Sequence, residues 1–376
     1  MQDNRTYHFK RAGTEQYITV PNGAAIRGEY FWKDTNLFAY CAGANVYLYN
    51  VITLATITCT AVFTTTSGKV GFTPFLYDDG TVKLVVTDGT DLVTITNTGT
   101  VATSSSPDLP SPHIPQPIFL NGYLFLLKSD TADIVNSNLN DPLAFTAGDS
   151  IMSEVHPDLA TGIAKLNNYI VVFGASSIEY FWDAANESGS PLKRNDTPIK
   201  YSGLVGDIIT SGNSIYFFGY DDNKQVDIFQ LRDFSIEPLA SEAVRRAIAS
   251  LEAPTSDFSG HMISCLGHDF FMANLGSKSF VYDIKEKTWV PWAWKTNTNF
   301  NITNSETLVL PTGNKTVFTI GSSPIWYVFN DKKYQDDGVS FSVIPITEPA
   351  DFGTLNRKTM SRLSIVCDRP TSNSNI

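Results

Sequence analysis

Apolar and polar positions alternate in short runs along most of this chain, and turn-forming residues interrupt the runs every few positions. The pattern is cleanest at 166–184, LNNYIVVFGASSIEYFWDA. Tyr169 to Phe173 form one apolar run, Gly174 to Ser177 break it, and Ile178, Tyr180, Phe181 and Trp182 resume it. Two such runs around a tight turn predict a β-hairpin. Asn167 and Asn168 stand before the first strand, where Asn tolerates the left-handed backbone of a further turn. A lone hairpin cannot bury its apolar face, so the unit requires neighbours.

Neighbours of the same kind recur: AGANVYLYN (42–50), DDGTVKLVVTDGTDLVTITN (78–97), LNGYLFLLKSDTADIVNSNLND (120–141), the unit above, SGNSIYFFGYDDNKQVDIFQL (211–231), LGHDFFMANLGSKSFVYDI (266–284) and TGNKTVFTIGSSPIWYVFN (312–330). Anchored on Gly43, Gly80, Asn121, Asn167, Gly212, Gly267 and Gly313, they lie 37, 41, 46, 45, 55 and 46 residues apart, 45 on average. A repeat of this length with four short strands is the spacing of a propeller blade. The predicted fold is all-β, a β-propeller of seven blades with six to eight admissible, over residues 1–337. Residues 338–376 either supply strands that close the ring or begin a further C-terminal β element. A multi-domain β-sandwich shares the frequent turns but not the common order and length of the units.

Three stretches depart from the hairpin pattern. Residues 51–67, VITLATITCTAVFTTTS, are β-branched and Thr-rich, which suits pleated, half-buried strands. Residues 104–116, SSSPDLPSPHIPQ, hold four prolines and read as an extended connection between blades. Residues 238–253, PLASEAVRRAIASLEA, place Ala243, Val244, Ala247, Ile248 and Leu251 on one helical face, with Ser241 as cap and Pro254 as stop. This one inserted short helix accounts for the spacing of 55.

Composition narrows the class. The 376 residues include 42% apolar and 12% aromatic positions, enough for a large core. No run of about 18 apolar residues exists, and the start, MQDNRTYHFKRAG, lacks the apolar core of a signal peptide, so neither a membrane span nor secretion is indicated. Cys41, Cys59, Cys265 and Cys367 have no CxxC spacing and read as buried free thiols. The net charge of −11 argues against a protein that grips nucleic acid, because phosphate affinity comes from clustered Lys and Arg. An acidic surface fits a wall past which DNA slides without adhering, and also ordinary solubility.

Candidate chemistry is sparse. His8, His113, His156, His261 and His268 are too dispersed for a ligand set, and none adjoins a GxSxG, HExxH or CxxC element. His268 and Asp269 read as turn chemistry. Asp221, Asp222, Asn223 and Asp227 resemble a calcium loop but lack its Gly at the sixth position and Glu at the twelfth. Trp289, Trp292 and Trp294 could contact a sugar or a protein, though aromatic packing between blades is the plainer reading. No catalytic, cofactor-binding or metal-binding residue is assigned, no cofactor is expected, and the chain is not expected to be an enzyme.

Several landmarks carry a resemblance in order: RAGTEQYITVPNGAAIRGEYF, FAYCAGANVYLYN, LNDPLAFTAGDSIMSEVHPDLATGIAKLNNYIVVFGASSIEYFWDA, KYSGLVGD, SEAVRRAIASLEA and HDFFMANLGSKSFVYDIKEKTWVPW. Over roughly residues 11–366 the chain resembles the packaged-DNA stabilisation protein of short-tailed phages (podoviruses), the hub or nozzle of the tail. It departs from that family at both ends, where members carry a longer N-terminal arm and a fuller β region after the repeats. The resemblance implies a structural protein of the virion, assembled in the host cytoplasm as a ring of about six below the portal and its adaptor. Such a ring extends the channel, helps to retain packaged DNA, and conducts the double-stranded genome during ejection without specific binding. It also seats a needle or plug and fibres or tailspikes. The competing readings are a glycan-binding or glycan-degrading propeller of a phage fibre, expected to gather carboxylates or aromatics at its central mouth, and a protein-scaffolding propeller.

Overall fold

The computed structural model describes residues 11–341 apart from 61, 155–157, 187, 201, 222, 252–257 and 297–298. After strand β1 (Gly13–Thr19), six sheets follow in chain order, each of four antiparallel strands. Blade 1 is β2–β5 (Ile26–Trp32, Leu37–Ala42, Asn45–Asn50, Thr56–Cys59), and blade 2 is β6–β9 (Gly71–Leu76, Val82–Thr87, Leu92–Ile95, Val101–Thr103). Blade 3 is β10–β13 (Ile118–Leu120, Tyr123–Leu127, Asp133–Asn138, Asp141–Met152), and blade 4 is β14–β17 (Ala160–Leu166, Tyr169–Gly174, Ile178–Asp183, Leu192–Lys200). Blade 5 is β18–β21 (Leu204–Ser211, Ser214–Tyr220, Val226–Arg232, Ser235–Pro238), and blade 6 is β22–β25 (Phe258–Cys265, His268–Leu275, Ser279–Asp283, Thr288–Trp292). Blade 7 takes β26–β28 (Ile302–Leu310, Gly313–Ile320, Ile325–Asn330) and, as its fourth strand, β1 from the other end of the chain. The first strand of each blade packs on the first strand of the next, and the circle closes with β26 against β2. The protein is a seven-bladed β-propeller.

Six of the seven repeats recognised in the sequence are the middle hairpin of one blade, whose two strands are paired on both edges and apolar on both faces; the first, 42–50, holds only the turn and third strand of its blade. The first anchor is out of phase. Gly43 lies between the second and third strands of blade 1, whereas the other six anchors lie at the turn between first and second strands. The equivalent residue is Asn36, left-handed at φ 54°, which lengthens the first spacing from 37 to 44 residues. The short first interval is a mismatch of turns rather than a short blade.

The ring is closed by the N-terminal strand, whose sequence reads only as an entry to the repeats. Strand β1 pairs antiparallel with β28 from Gly13↔Asn330 to Thr19↔Ile325. Beyond it lie β29 (Gln335–Asp336) and β30 (Val339–Ser340), which extend the same sheet. Asp336 is fully buried and takes both Arg11 guanidinium nitrogens, Nη1 at 2.9 Å and Nη2 at 2.5 Å, together with the Lys295 backbone N–H at 2.9 Å and the Thr14 hydroxyl at 3.2 Å. A desolvated carboxylate is tolerated only with such a full set of partners. Residues 342–376, including Cys367 and most of the expected closing segment, lie outside the described residues.

Seven hydrophobic clusters fill the seven seams between blades. The tryptophans of residues 288–295 belong to them. Trp294 stacks on Phe300 at 5.1 Å, Trp292 packs on Phe270 and Phe329, and Trp289 lies on Tyr282 while its indole N–H donates to the Leu239 carbonyl at 2.7 Å. The inserted helix α1 (Glu242–Ala249) is shorter than its sequence pattern, because Pro238 still belongs to β21. The Ser241 hydroxyl accepts the Val244 N–H, and Val244, Ala247 and Ile248 are buried, Val244 and Ile248 in the seam between blades 5 and 6. Pro254 lies outside the described residues.

The Thr-rich stretch corrects another expectation. Only Thr56–Cys59 is a strand. Residues 62–70 form a loop wrapped around Arg27, whose guanidinium donates to the carbonyls of Gly43, Thr65, Ser67 and Gly68 and to the Thr65 hydroxyl, at 2.7–3.0 Å. One buried cation with five oxygen acceptors overrides local strand propensity.

Candidate functional site

The first strands surround the axis, and four of them place ionisable groups beside it. Glu29 lies on β2, Asp207 on β18, His261 on β22 and Glu306 on β26. Glycine precedes three of these, Gly28, Gly206 and Gly260. A Cβ on Gly28 would collide with the Val70 carbonyl oxygen, and one on Gly260 with Ile209 Cδ1. Only glycine lets neighbouring inner strands approach so closely. Near Gly28 the ladder of β2 also shifts register, as does that of β26 between Ile302 and Asn304, and such bulges re-aim side chains at the rim of a closed structure.

Ser305 joins three blades at this level. Its backbone N–H donates to Glu29 Oε1 at 3.0 Å, its hydroxyl donates to the Met262 carbonyl at 3.3 Å, and His261 Nδ1 lies 3.4 Å from that hydroxyl. With its amide turned to satisfy both neighbours, Asn304 donates to Glu29 Oε2 at 3.0 Å. Glu306 accepts the Thr307 N–H at 3.2 Å. Enclosure by protein, reinforced by Glu306, pushes the Glu29 carboxyl up to about 8; enclosure alone raises Glu306 to about 7. Burial drives His261 down to about 4 against the opposing pull of Asp207. At neutral pH His261 is uncharged and Glu29 largely protonated.

Beside this group runs an ion pair between Lys69 and Asp207. Lys69 ends the loop that Arg27 organises and leads into blade 2; Asp207 belongs to blade 5, on the far side of a seven-membered ring. The pair therefore reaches across the ring from one blade's entry loop to a first strand three blades away. Among the described residues no group of three or more His, Cys, Asp and Glu is arranged to hold a metal ion.

The residues singled out from the sequence do not meet here, apart from His261. His268 Nδ1 pairs with Asp283 at 2.7 Å, not with Asp269. His113 is buried in the proline-rich connection, Nδ1 on the Pro110 carbonyl and Nε2 on Thr87, both at 2.6 Å. Asp221 caps its own turn through the N–H groups of Asn223 and Gln225, and Asp227 pairs with Arg245 at 2.8 Å. Those contacts make a hairpin turn rather than a calcium loop. Asp222, His8 and His156 lie outside the described residues. Cys41, Cys59 and Cys265 are free thiols, and burial pushes Cys41 and Cys265 up to about 12.

The remaining surface is uneven. Turns joining first to second and third to fourth strands share one face of the disc. Exposed Ile52, Leu54, Leu76, Val82, Leu139, Leu266 and Val309 lie at or beside these turns, against Met152 and Leu159 on the opposite face. Leu54 is 63% exposed with φ 62°, an uncommon backbone for leucine.

A seven-bladed ring closed by strands from both ends, with seven aromatic seams, defines the class as a seven-bladed β-propeller. The family model described as "Bacteriophage P22 Gp10, beta-propeller", of the phage stabilisation family, matches residues 6–301, and the chain belongs to that family. It is accordingly a structural protein of the phage virion with a role in DNA stabilisation. No curated protein matches the chain by sequence. Solved structures share its fold at low identity. A catalytically inactive variant of virginiamycin B lyase from Staphylococcus aureus, crystallised with quinupristin, is 13% identical with a TM-score of 0.54, covering 84% of this chain and 99% of the lyase. A streptogramin B lyase is 11% identical with a TM-score of 0.53, over 85% and 98%. The extracellular domain of a protein described as a hybrid two-component system from B. thetaiotaomicron is 9% identical with a TM-score of 0.54, over 89% and 44%. These likenesses concern the fold alone.

Proposed function

We propose that this chain is the nozzle or hub subunit of a short-tailed phage. About six copies form a ring below the portal and its adaptor, extend the channel, help to retain the packaged genome, and conduct it during ejection. The needle or plug and the fibres or tailspikes are seated on the ring. The family match over residues 6–301 carries the reading; Lys69 and Asp207 place opposite charges across the axis of one propeller, and the duplex path in this proposal runs between copies rather than through one. At −11 per copy, surfaces facing that path repel phosphate rather than hold it. Head-to-tail contacts in such a ring use two different surfaces of each subunit, and the apolar residues exposed on one face of the disc are the first place to seek one of them.

The test is negative-stain imaging of the purified chain, alone and with its adaptor. Rings of about six copies are expected; a single-copy particle in both samples would contradict the proposal. One observation favours a second reading: carboxylates do gather on the axis, as a glycan-cleaving propeller requires. Asp207, however, is already neutralised by Lys69 and Glu29 already accepts the Ser305 amide. Hydrolysis or binding on a glycan panel would favour that reading.

A further inference from the structure

Between blades 4 and 5 the surface opens into a cavity of about 520 Å³, at the end of the strands where β19 turns into β20. Phe229 of β20 with Ile236 and Pro238 of β21 gives it an apolar lining. Two cations reach it from different elements, Lys200 at the end of β17 and Arg245 on α1. Arg245 uses only Nε, on Asp227 at 2.8 Å, so both terminal nitrogens and the Lys200 ammonium stay unpaired among the described residues. The acids at the site are engaged. Asp227 is buried and takes Arg245 together with the Ile228 N–H, while Asp221 Oδ1 accepts the N–H groups of Asn223 and Gln225. An apolar hollow with free cations beside it suits one carboxylate carried next to an apolar side chain. Closely spaced phosphates suit it badly, because the second oxygen of Asp221 would repel them.

A group of that chemistry projects from the far side of the same molecule. The turn between β6 and β7 carries Asp78 and Asp79 between Leu76, 48% exposed, and Val82, 36% exposed. Asp79 Oδ1 is taken by the Thr81 N–H and hydroxyl, at 2.8 and 2.6 Å, whereas Asp78 has no partner among the described residues. The other exposed apolar turns lack this combination: those of Leu54 and Val309 hold no acid, Leu266 is followed by Gly267 and His268, and Leu139 has the single acid Asp141. Blade 2 lies three blades from blade 5, the widest separation in a ring of seven, and its first turn is on the opposite face from the cavity. One copy cannot bring the two together.

We propose that the cavity between blades 4 and 5 of one copy receives the Leu76 to Val82 turn of the next, with Asp78 facing Lys200 and Arg245 and Leu76 entering the apolar hollow. The proposal rests on the reading of this chain as a ring subunit, and it supplies the two different surfaces that a head-to-tail contact demands. Lys83, the nearest cation to the turn, lies over the Tyr77 ring of its own copy at 4.7 Å. The charged groups set register and partner choice, and the apolar side chains supply the area removed from water.

Sedimentation velocity and negative-stain imaging of the full chain, alone and with its adaptor, test the contact on D78K, K200E, the double variant D78K/K200E and L76S, each checked for an unchanged Tm. D78K and K200E should each raise the concentration needed for rings by roughly tenfold. The double variant, which exchanges the two charges, should recover most of that loss. L76S should weaken the rings at every ionic strength, whereas the effect of either charge reversal should shrink in high salt. Wild-type rings that none of the variants disturbs, or a double variant no better than the single ones, would overturn the contact and leave the ring standing. Single-copy wild-type particles in both samples would overturn the ring and the contact together. Variants that keep their rings but lose the adaptor would give the cavity to another protein and overturn the self-contact. Should one charge variant fail to fold, the other and L76S still decide.

Discussion

In the seam between blades 7 and 1, Trp326, Phe38 and Tyr40 are wholly buried against one another, with ring centroids 4.9–5.9 Å apart. A short distance inward on the same two blades, Glu29, Asn304, Ser305 and Glu306 meet through hydrogen bonds and charge. The two regions answer different demands. A seam is stabilised by area removed from water, and any well-fitting aromatic set will serve. The axis is a place where seven backbones converge, so it is built from glycines, bulges and polar groups that satisfy one another. Removing a seam side chain should cost stability through a cavity, whereas disturbing the axis should act through the backbone and through charge.

The sharpest break of this comparison is Trp326→Ala, which should cost about 3–5 kcal/mol by opening a cavity in the closing seam. Arg11→Met should cost a similar amount, about 3–5 kcal/mol, because Asp336 would keep a buried charge without its cation. Urea denaturation measures both. Gly28→Ala should cost about 1–3 kcal/mol, since its Cβ would press on the Val70 backbone carbonyl rather than on a side chain that can turn aside; a neutral result would mean that the inner strands are less tightly drawn together than described. Ser241→Ala should cost about 1 kcal/mol through loss of the helix cap. The smallest effect should have the opposite sign. Tyr40 Oη is buried without a hydrogen-bond partner, so Tyr40→Phe should leave stability unchanged or raise it by up to about 1 kcal/mol.

The seams are legible in the sequence because their apolar residues repeat with the blade: runs such as Tyr169 to Phe173 and Ile215 to Phe218 stand out in the bare chain. Even there, Gly43 aligns with the wrong turn, since a Gly-containing turn looks the same on either side of a hairpin. The axis is not legible. Glu29, Asp207, His261 and Glu306 come one per blade and become neighbours only when the ring closes. A faint signal exists in Gly28-Glu29, Gly206-Asp207 and Gly260-His261, a glycine followed by an ionisable residue on three first strands. It can be read only with the strand boundaries in hand. Closure by β1 is hidden for a related reason, because GTEQYIT carries no mark of pairing with Ile325–Asn330 at the other end of the repeats.

The most direct test of the structural role is cryo-electron microscopy of the assembled tail with DNA inside. The account predicts about six copies of this propeller around a central path, with duplex density between copies and Lys69 meeting Asp207 across a lumen free of DNA in each. Duplex density along the axis of a single propeller, or a tail without this chain, would contradict it.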